Sequence, residues 1–93
     1  MPLIRIVKMT FQEDKVNKFR ELFDERKELI ASFPGCSRVE LLNVDNIFFT
    51  YSVWEDATAL EAYRTSELFQ STWAVVKPLF AAKAEAWSLT KEH

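Results

Sequence analysis

The sequence predicts an α+β fold in which a four-stranded antiparallel sheet carries helices on one face. Three observations carry that prediction. Short β-branched and aromatic runs occur at the start, middle and end of the chain; stretches of three- and four-residue apolar spacing lie between them; and capping residues, Pro and Gly stand where one pattern gives way to the next.

Residues 3–11 (LIRIVKMTF) read as the first strand, because Ile4, Ile6 and Val7 are β-branched and both alternating faces hold apolar groups. Thr10 with Glu13 has the spacing of a capping box, and Glu13 and Asp14 favour the positive end of a following helix. From Lys15 to Phe33, Val16, Phe19, Leu22, Phe23, Leu29, Ile30 and Phe33 recur on one helical face, and Pro34-Gly35 ends the helix. Cys36–Val44 and Asn46–Trp54 are two strands of a hairpin with turn chemistry around Asp45. Asp56 can cap a short helix over ATALEAYR, and Ser66 with Glu67 can cap a second one through LFQSTWAVV, which Pro78 interrupts. Residues 79–83 read as a loose turn, and residues 85–91 (EAWSLTK) as a closing strand. The order β-α-β-β-α-α-β is that of the ferredoxin-like split βαβ layout, which leaves one sheet face uncovered.

Ninety-three residues fit one domain, 1–93, and 48% hydrophobic with 28% charged residues describes a chain that folds. A chain of this size buries only roughly 60–65% of its unfolded surface. An aromatic content of 14% therefore exceeds what one small core needs. The surplus belongs in a pocket or against a second copy of the chain.

A formal net charge of -2 provides no basic field for nucleic acid. No apolar run is long enough for a membrane span, none looks like a signal peptide, and one cysteine makes no internal disulfide, so a cytoplasmic location is expected. Chemistry by residue type is sparse. The one histidine is the terminal His93, Cys36 has no internal histidine to activate it, and Glu13/Asp14 and Glu55/Asp56 are explained by helix starts, so neither a metal nor another cofactor is expected. Aromatic and weakly polar groups remain: Tyr51, Trp54, Tyr63, Trp73 and Trp87, with Arg5, Thr50 and Ser52 on strands. Buried Tyr O–H and Trp N–H groups need a partner, and an apolar pocket with a few polar groups is the usual small-molecule site.

The strand LIRIVKMTF, the helix exit FPGC, the strand end FTYSVWED and the stretch ALEAYRTSELF together resemble the antibiotic biosynthesis monooxygenase domain over nearly the whole chain. The resemblance implies homodimers whose sheets pack face to face as a dimeric α/β barrel. It further implies a pocket between sheet and helices, with Tyr63 and Trp73 as catalytic residues and Arg5, Val7, Tyr51, Trp54, Leu68 and Phe69 as substrate-binding residues. Many members carry histidines at the positions that match Tyr63 and Leu68. Haem-degrading members carry Asn, Trp and a ligating His where this chain has Val7, Tyr63 and Trp73, which supply no axial nitrogen. The activity implied is a cofactor-independent monooxygenase for a small aromatic, quinol-type substrate. The alternatives are a homodimeric binder of a small apolar ligand without catalysis, and a dimerisation module whose pocket is filled by its own Phe and Trp side chains.

Overall fold

A computed structural model describes residues 2–93. Strands β1 (Leu3–Thr10), β2 (Cys36–Val44), β3 (Ile47–Trp54) and β4 (Glu85–Thr90) form one antiparallel sheet in the order β2-β3-β1-β4. Helices α1 (Val16–Ala31), α2 (Ala57–Arg64) and α3 (Glu67–Val76) lie against one face. The architecture is the expected ferredoxin-like α+β fold. The sheet within a chain is open, ending in the two edge strands β2 and β4, so a barrel would need a second copy.

Both short helices start where the sequence indicates. The Asp56 carboxylate accepts from the Ala59 N–H at 2.8 Å and Ser66 Oγ accepts from the Phe69 N–H at 3.1 Å, each satisfying a donor that the first helical turn leaves free. The start of α1 differs from expectation. Thr10 remains in the sheet and caps nothing, and its carbonyl accepts from the Ala81 N–H. A 3-10 turn at Glu13–Lys15 leads into the helix, and the Gln12 side chain instead donates to the carbonyls of Pro78 and Phe80. Long-range pairing of two crossing segments therefore replaces the local box.

Helix α1 stops two residues before the predicted end, with Ser32 as its C-cap. The chain then turns through Pro34 and Gly35, whose φ of 87° lies in the left-handed region. A Cβ on Gly35 would sit 2.5 Å from the Ala59 Cβ, so the β2 entry and the first turn of α2 approach too closely for any other residue. The hairpin loop is Asp45-Asn46, with Asp45 at φ 52°. The Asn46 amide donates to the Phe11 carbonyl at 2.7 Å, tying this loop to the end of β1.

The core gathers beneath α1. Met9, Phe11, Phe19, Phe48 and Val76 are buried together, and the Phe11 ring stacks on Phe19 at 4.1 Å and meets Phe48 and Phe80 at 5.7 and 5.3 Å. Arg26 on α1 donates to Ser71 Oγ and Thr72 Oγ1 on α3, fastening the two helices over the sheet. No helix among the described residues is long and apolar enough to cross a membrane.

Candidate active site

Strand alternation and register decide what faces the helices. Arg5, Val7 and Met9 on β1 share that face with Phe48, Thr50, Ser52 and Trp54 on β3 and with Ala86 and Ser88 on β4. Away from the Phe11 cluster the layers do not close. They leave a cavity of about 350 Å³, within the usual range for small-molecule sites. Its walls are Trp54, Tyr63, Phe69 and Trp73, its floor Arg5, Val7 and Thr50, with Arg64 and Ala86 also lining it. The filled-pocket alternative is therefore not what the chain forms.

The walls are a run of aromatic rings in mutual contact. Tyr63 stacks on Trp54 with centroids 4.9 Å apart and meets Phe33 and Phe69 edge-on at 5.4 and 5.3 Å. Phe69 stacks on Trp73 at 5.8 Å with an interplanar angle of 9°, and Trp73 meets Phe80 at 5.4 Å. Rings held this way have few alternative rotamers, so the wall keeps its shape.

The polar handles divide into used and free. Trp54 Nε1 donates to Ser52 Oγ at 2.9 Å, and Ser52 Oγ is within 3.4 Å of the Arg5 carbonyl, so Trp54 serves as a fixed wall. Among the described residues no buried side-chain nitrogen or oxygen is left without a partner. Tyr63 Oη and Trp73 Nε1, which make no hydrogen bond among the described residues, therefore keep contact with open space. Burial pushes the Tyr63 phenol up to about 12, with a smaller contribution from nearby Cys36. At neutral pH Tyr63 is a hydrogen-bond donor and not a base. Burial also raises the Cys36 thiol, whose Sγ lies 3.7 Å from the Arg38 carbonyl; this is the opposite of what an activated nucleophile needs.

Of the residues singled out in the sequence, Arg5, Val7, Trp54, Tyr63, Phe69 and Trp73 come together around this cavity. Two do not. Tyr51 pairs with Ile6 and Glu40 and projects from the opposite, open face, because it is one residue out of phase with Thr50 and Ser52. Leu68 is half-buried but does not line the cavity; the position beside it, Phe69, does. The sequence reading missed Arg64 and Thr72. Arg64 had a readable signal: it stands four residues after buried Leu60, on the same side of α2. No group of three or more His, Cys, Asp or Glu side chains gathers among the described residues. Glu85, at the cavity edge, is paired with Lys8 at 3.7 Å.

A sequence profile of the antibiotic biosynthesis monooxygenase family matches residues 2–74. A conserved protein from Methanosarcina mazei superposes with a TM-score of 0.93 at 17% identity, covering 99% of this chain and 94% of that one. The Rv0793 protein of Mycobacterium tuberculosis gives 0.92 at 18% identity, covering 100% and 97%. SnoaB, a cofactor-independent oxygenase from Streptomyces nogalater, gives 0.87 at 20% identity, covering 99% and 94%. A search of functionally curated proteins finds no match.

Proposed function

The chain belongs to the antibiotic biosynthesis monooxygenase family, and from that premise we propose that it is a cofactor-independent monooxygenase of a small aromatic, quinol-type substrate, working as a homodimer. One observation carries the reading: Tyr63, whose phenol has no hydrogen-bond partner among the described residues, lines a cavity walled by stacked aromatic rings. The oxygenase activity of SnoaB supports it by analogy of fold.

In this reading a phenol, or its keto tautomer with a ring CH₂, lies against Trp54, Phe69 and Trp73. Loss of one proton makes the ring carbon electron-rich. That carbon bonds to one atom of O₂, which is reduced to a hydroperoxide on taking up a proton. The O–O bond then breaks as the remaining C–H proton leaves, giving a ring carbonyl and one water. One oxygen atom enters the substrate, the other leaves as water, and the substrate supplies all the electrons. Tyr63 Oη and Trp73 Nε1 donate hydrogen bonds to the oxygen that carries negative charge as the proton departs, and the aromatic walls exclude water. Among the described residues the one carboxylate lining the cavity, Glu85, is paired with Lys8, so in this reading the substrate's own acidity governs ionisation.

The same Glu85–Lys8 pairing favours the second reading, a homodimer that binds an aromatic ligand without transforming it. Oxygen uptake over a panel of naphthols, quinols and anthrones distinguishes the two. The expected result is one O₂ consumed per carbonyl formed, with Tyr63→Phe lowering kcat by roughly 10- to 100-fold, the effect of losing one donor to a developing oxyanion. Uptake no faster than in protein-free buffer, or unchanged in the Tyr63→Phe and Trp73→Phe variants, would overturn the oxygenase reading.

A further inference from the structure

The cavity holds a charge that the proposed chemistry does not need. Arg5 lies in the middle of β1 on the helix-facing side, and its Nη1 donates to Ser88 Oγ at 2.9 Å, the residue opposite it on β4. A guanidinium has five N–H donors. No Asp or Glu pairs with Arg5 among the described residues, whose ion pairs are Lys8–Glu85, Lys27–Asp24, Arg38–Glu40 and Arg64–Glu61. A half-buried cation without a counter-ion is costly, and here a second cation lines the same cavity. Burial lowers the Arg5 pKa, the neighbouring Arg64 lowers it further, and Glu61 partly restores it.

Glu61 does not neutralise both arginines. It meets Arg64 at 3.1 Å as an exposed pair one helical turn apart, a weak and easily exchanged contact. Glu85 at the cavity edge is engaged by Lys8. This end of the site is therefore locally positive in a protein whose formal charge is -2, so the field is not a general property of the surface.

We propose that Arg5 and Arg64 form a subsite for a carboxylate, making the substrate class hydroxylated aromatic carboxylic acids instead of neutral quinols. The proposal rests on the preceding reading of the cavity as an aromatic site. A planar carboxylate matches the guanidinium fork, and charge-assisted hydrogen bonds are about twice as strong as neutral ones. The bound carboxylate would supply the counter-ion that Arg5 lacks and would replace Glu61 at Arg64, while the ring would lie toward Trp54, Tyr63 and Trp73.

Calorimetric titration with two ligands that differ only in the charged group tests this: 1-naphthol and 1-hydroxy-2-naphthoate at low salt. The expected result is that the carboxylate binds at least about tenfold more tightly. Arg64→Gln should reduce that ratio to below about threefold, and Glu61→Gln, which removes the competing carboxylate, should increase it. The methyl ester of the acid should bind no better than 1-naphthol. If 1-naphthol binds and the acid binds no more tightly, or if the ratio survives both Arg5→Gln and Arg64→Gln, the carboxylate subsite is overturned and the aromatic site stands. If neither ligand binds, the aromatic site itself falls, and the subsite with it.

Discussion

Both faces of the sheet carry apolar residues, although helices cover only one of them. The face under the helices carries Arg5, Thr50, Ser52 and Ser88 beside the buried Met9, Phe48 and Trp54, whereas the face away from them presents Ile4 and Ile6 on β1, Phe49, Tyr51 and Val53 on β3, Leu42 and Val44 on β2, and Trp87 and Leu89 on β4, beside the ion pairs Lys8–Glu85 and Arg38–Glu40. An antiparallel sheet covered on one side normally keeps its apolar residues beneath the cover and its polar ones in water. Leu42, Val44, Trp87 and Leu89 are each more than 40% exposed and stand on the two edge strands, with Phe49, Tyr51, Val53, Ile4 and Ile6 on the same face between them. The difference teaches that the faces have different tasks. Polar groups on the inner face make sense around a ligand, and the apolar outer face makes sense against another copy of the same surface.

The most damaging way to break the inner face is to remove its keystone. Phe11 is 0% exposed and contacts Phe19, Phe48 and Phe80, so Phe11→Ala should cost about 3–5 kcal/mol of stability by urea unfolding. The outer face is probed by Ile6→Arg, at the centre of the apolar rows. The chain should still fold, because that face needs no cover in a single copy, but light scattering should show the dimer weakened by roughly 100-fold or more, the consequence of placing an unpaired charge in an apolar interface. A wild-type protein that is monomeric at micromolar concentration would contradict the assignment of this face.

A smaller effect is expected from Ser52→Val. It leaves the buried Trp54 N–H without its acceptor and should cost about 1–3 kcal/mol, with Trp54 fluorescence reporting the change. The gentlest test is pH. Tyr63 stays protonated until about 12, and the rate requires ionised substrate, so turnover should rise with pH through the substrate's own phenolic pKa, with no falling limb from Tyr63 below that range. Substrates of different acidity should displace the profile in step; a profile fixed across substrates would point to a titrating group of the protein.

Much of this arrangement was legible in the sequence wherever the signal is local. The β-branched runs and the Asp56 and Ser66 caps each act over a few residues, and the structure places them accordingly, while the Pro34-Gly35 exit is reached two residues after α1 ends. The Thr10 box failed because Thr10 stays in β1, paired with Ile47, and the chain enters α1 through the 3-10 turn that follows Gln12, a choice set by pairing across the chain. The facing of Tyr51 was illegible for another reason. Ile47, Phe48 and Phe49 are all apolar, so alternation alone does not show which side of β3 is inward, and only pairing with β1 fixes it. Six of the eight anticipated pocket residues line the cavity: residue type pointed to Arg5, Trp54, Tyr63 and Trp73, and the family resemblance to Val7 and Phe69. Arg64 was overlooked because a charged residue at a helix end is usually a solvated one.

Every residue of β4 is exposed, although the strand is fully paired to β1 from Leu3 to Lys8. A strand held at one edge by backbone bonds, with little apolar burial, is where a sheet opens first. Its amides should exchange with deuterium ahead of those of β1 and β3. Fraying there would release Ser88 from Arg5 and loosen the Ala86 side of the cavity. Association of two outer faces would bury Trp87 and Leu89 on that same strand, so raising the protein concentration would slow the exchange of β4.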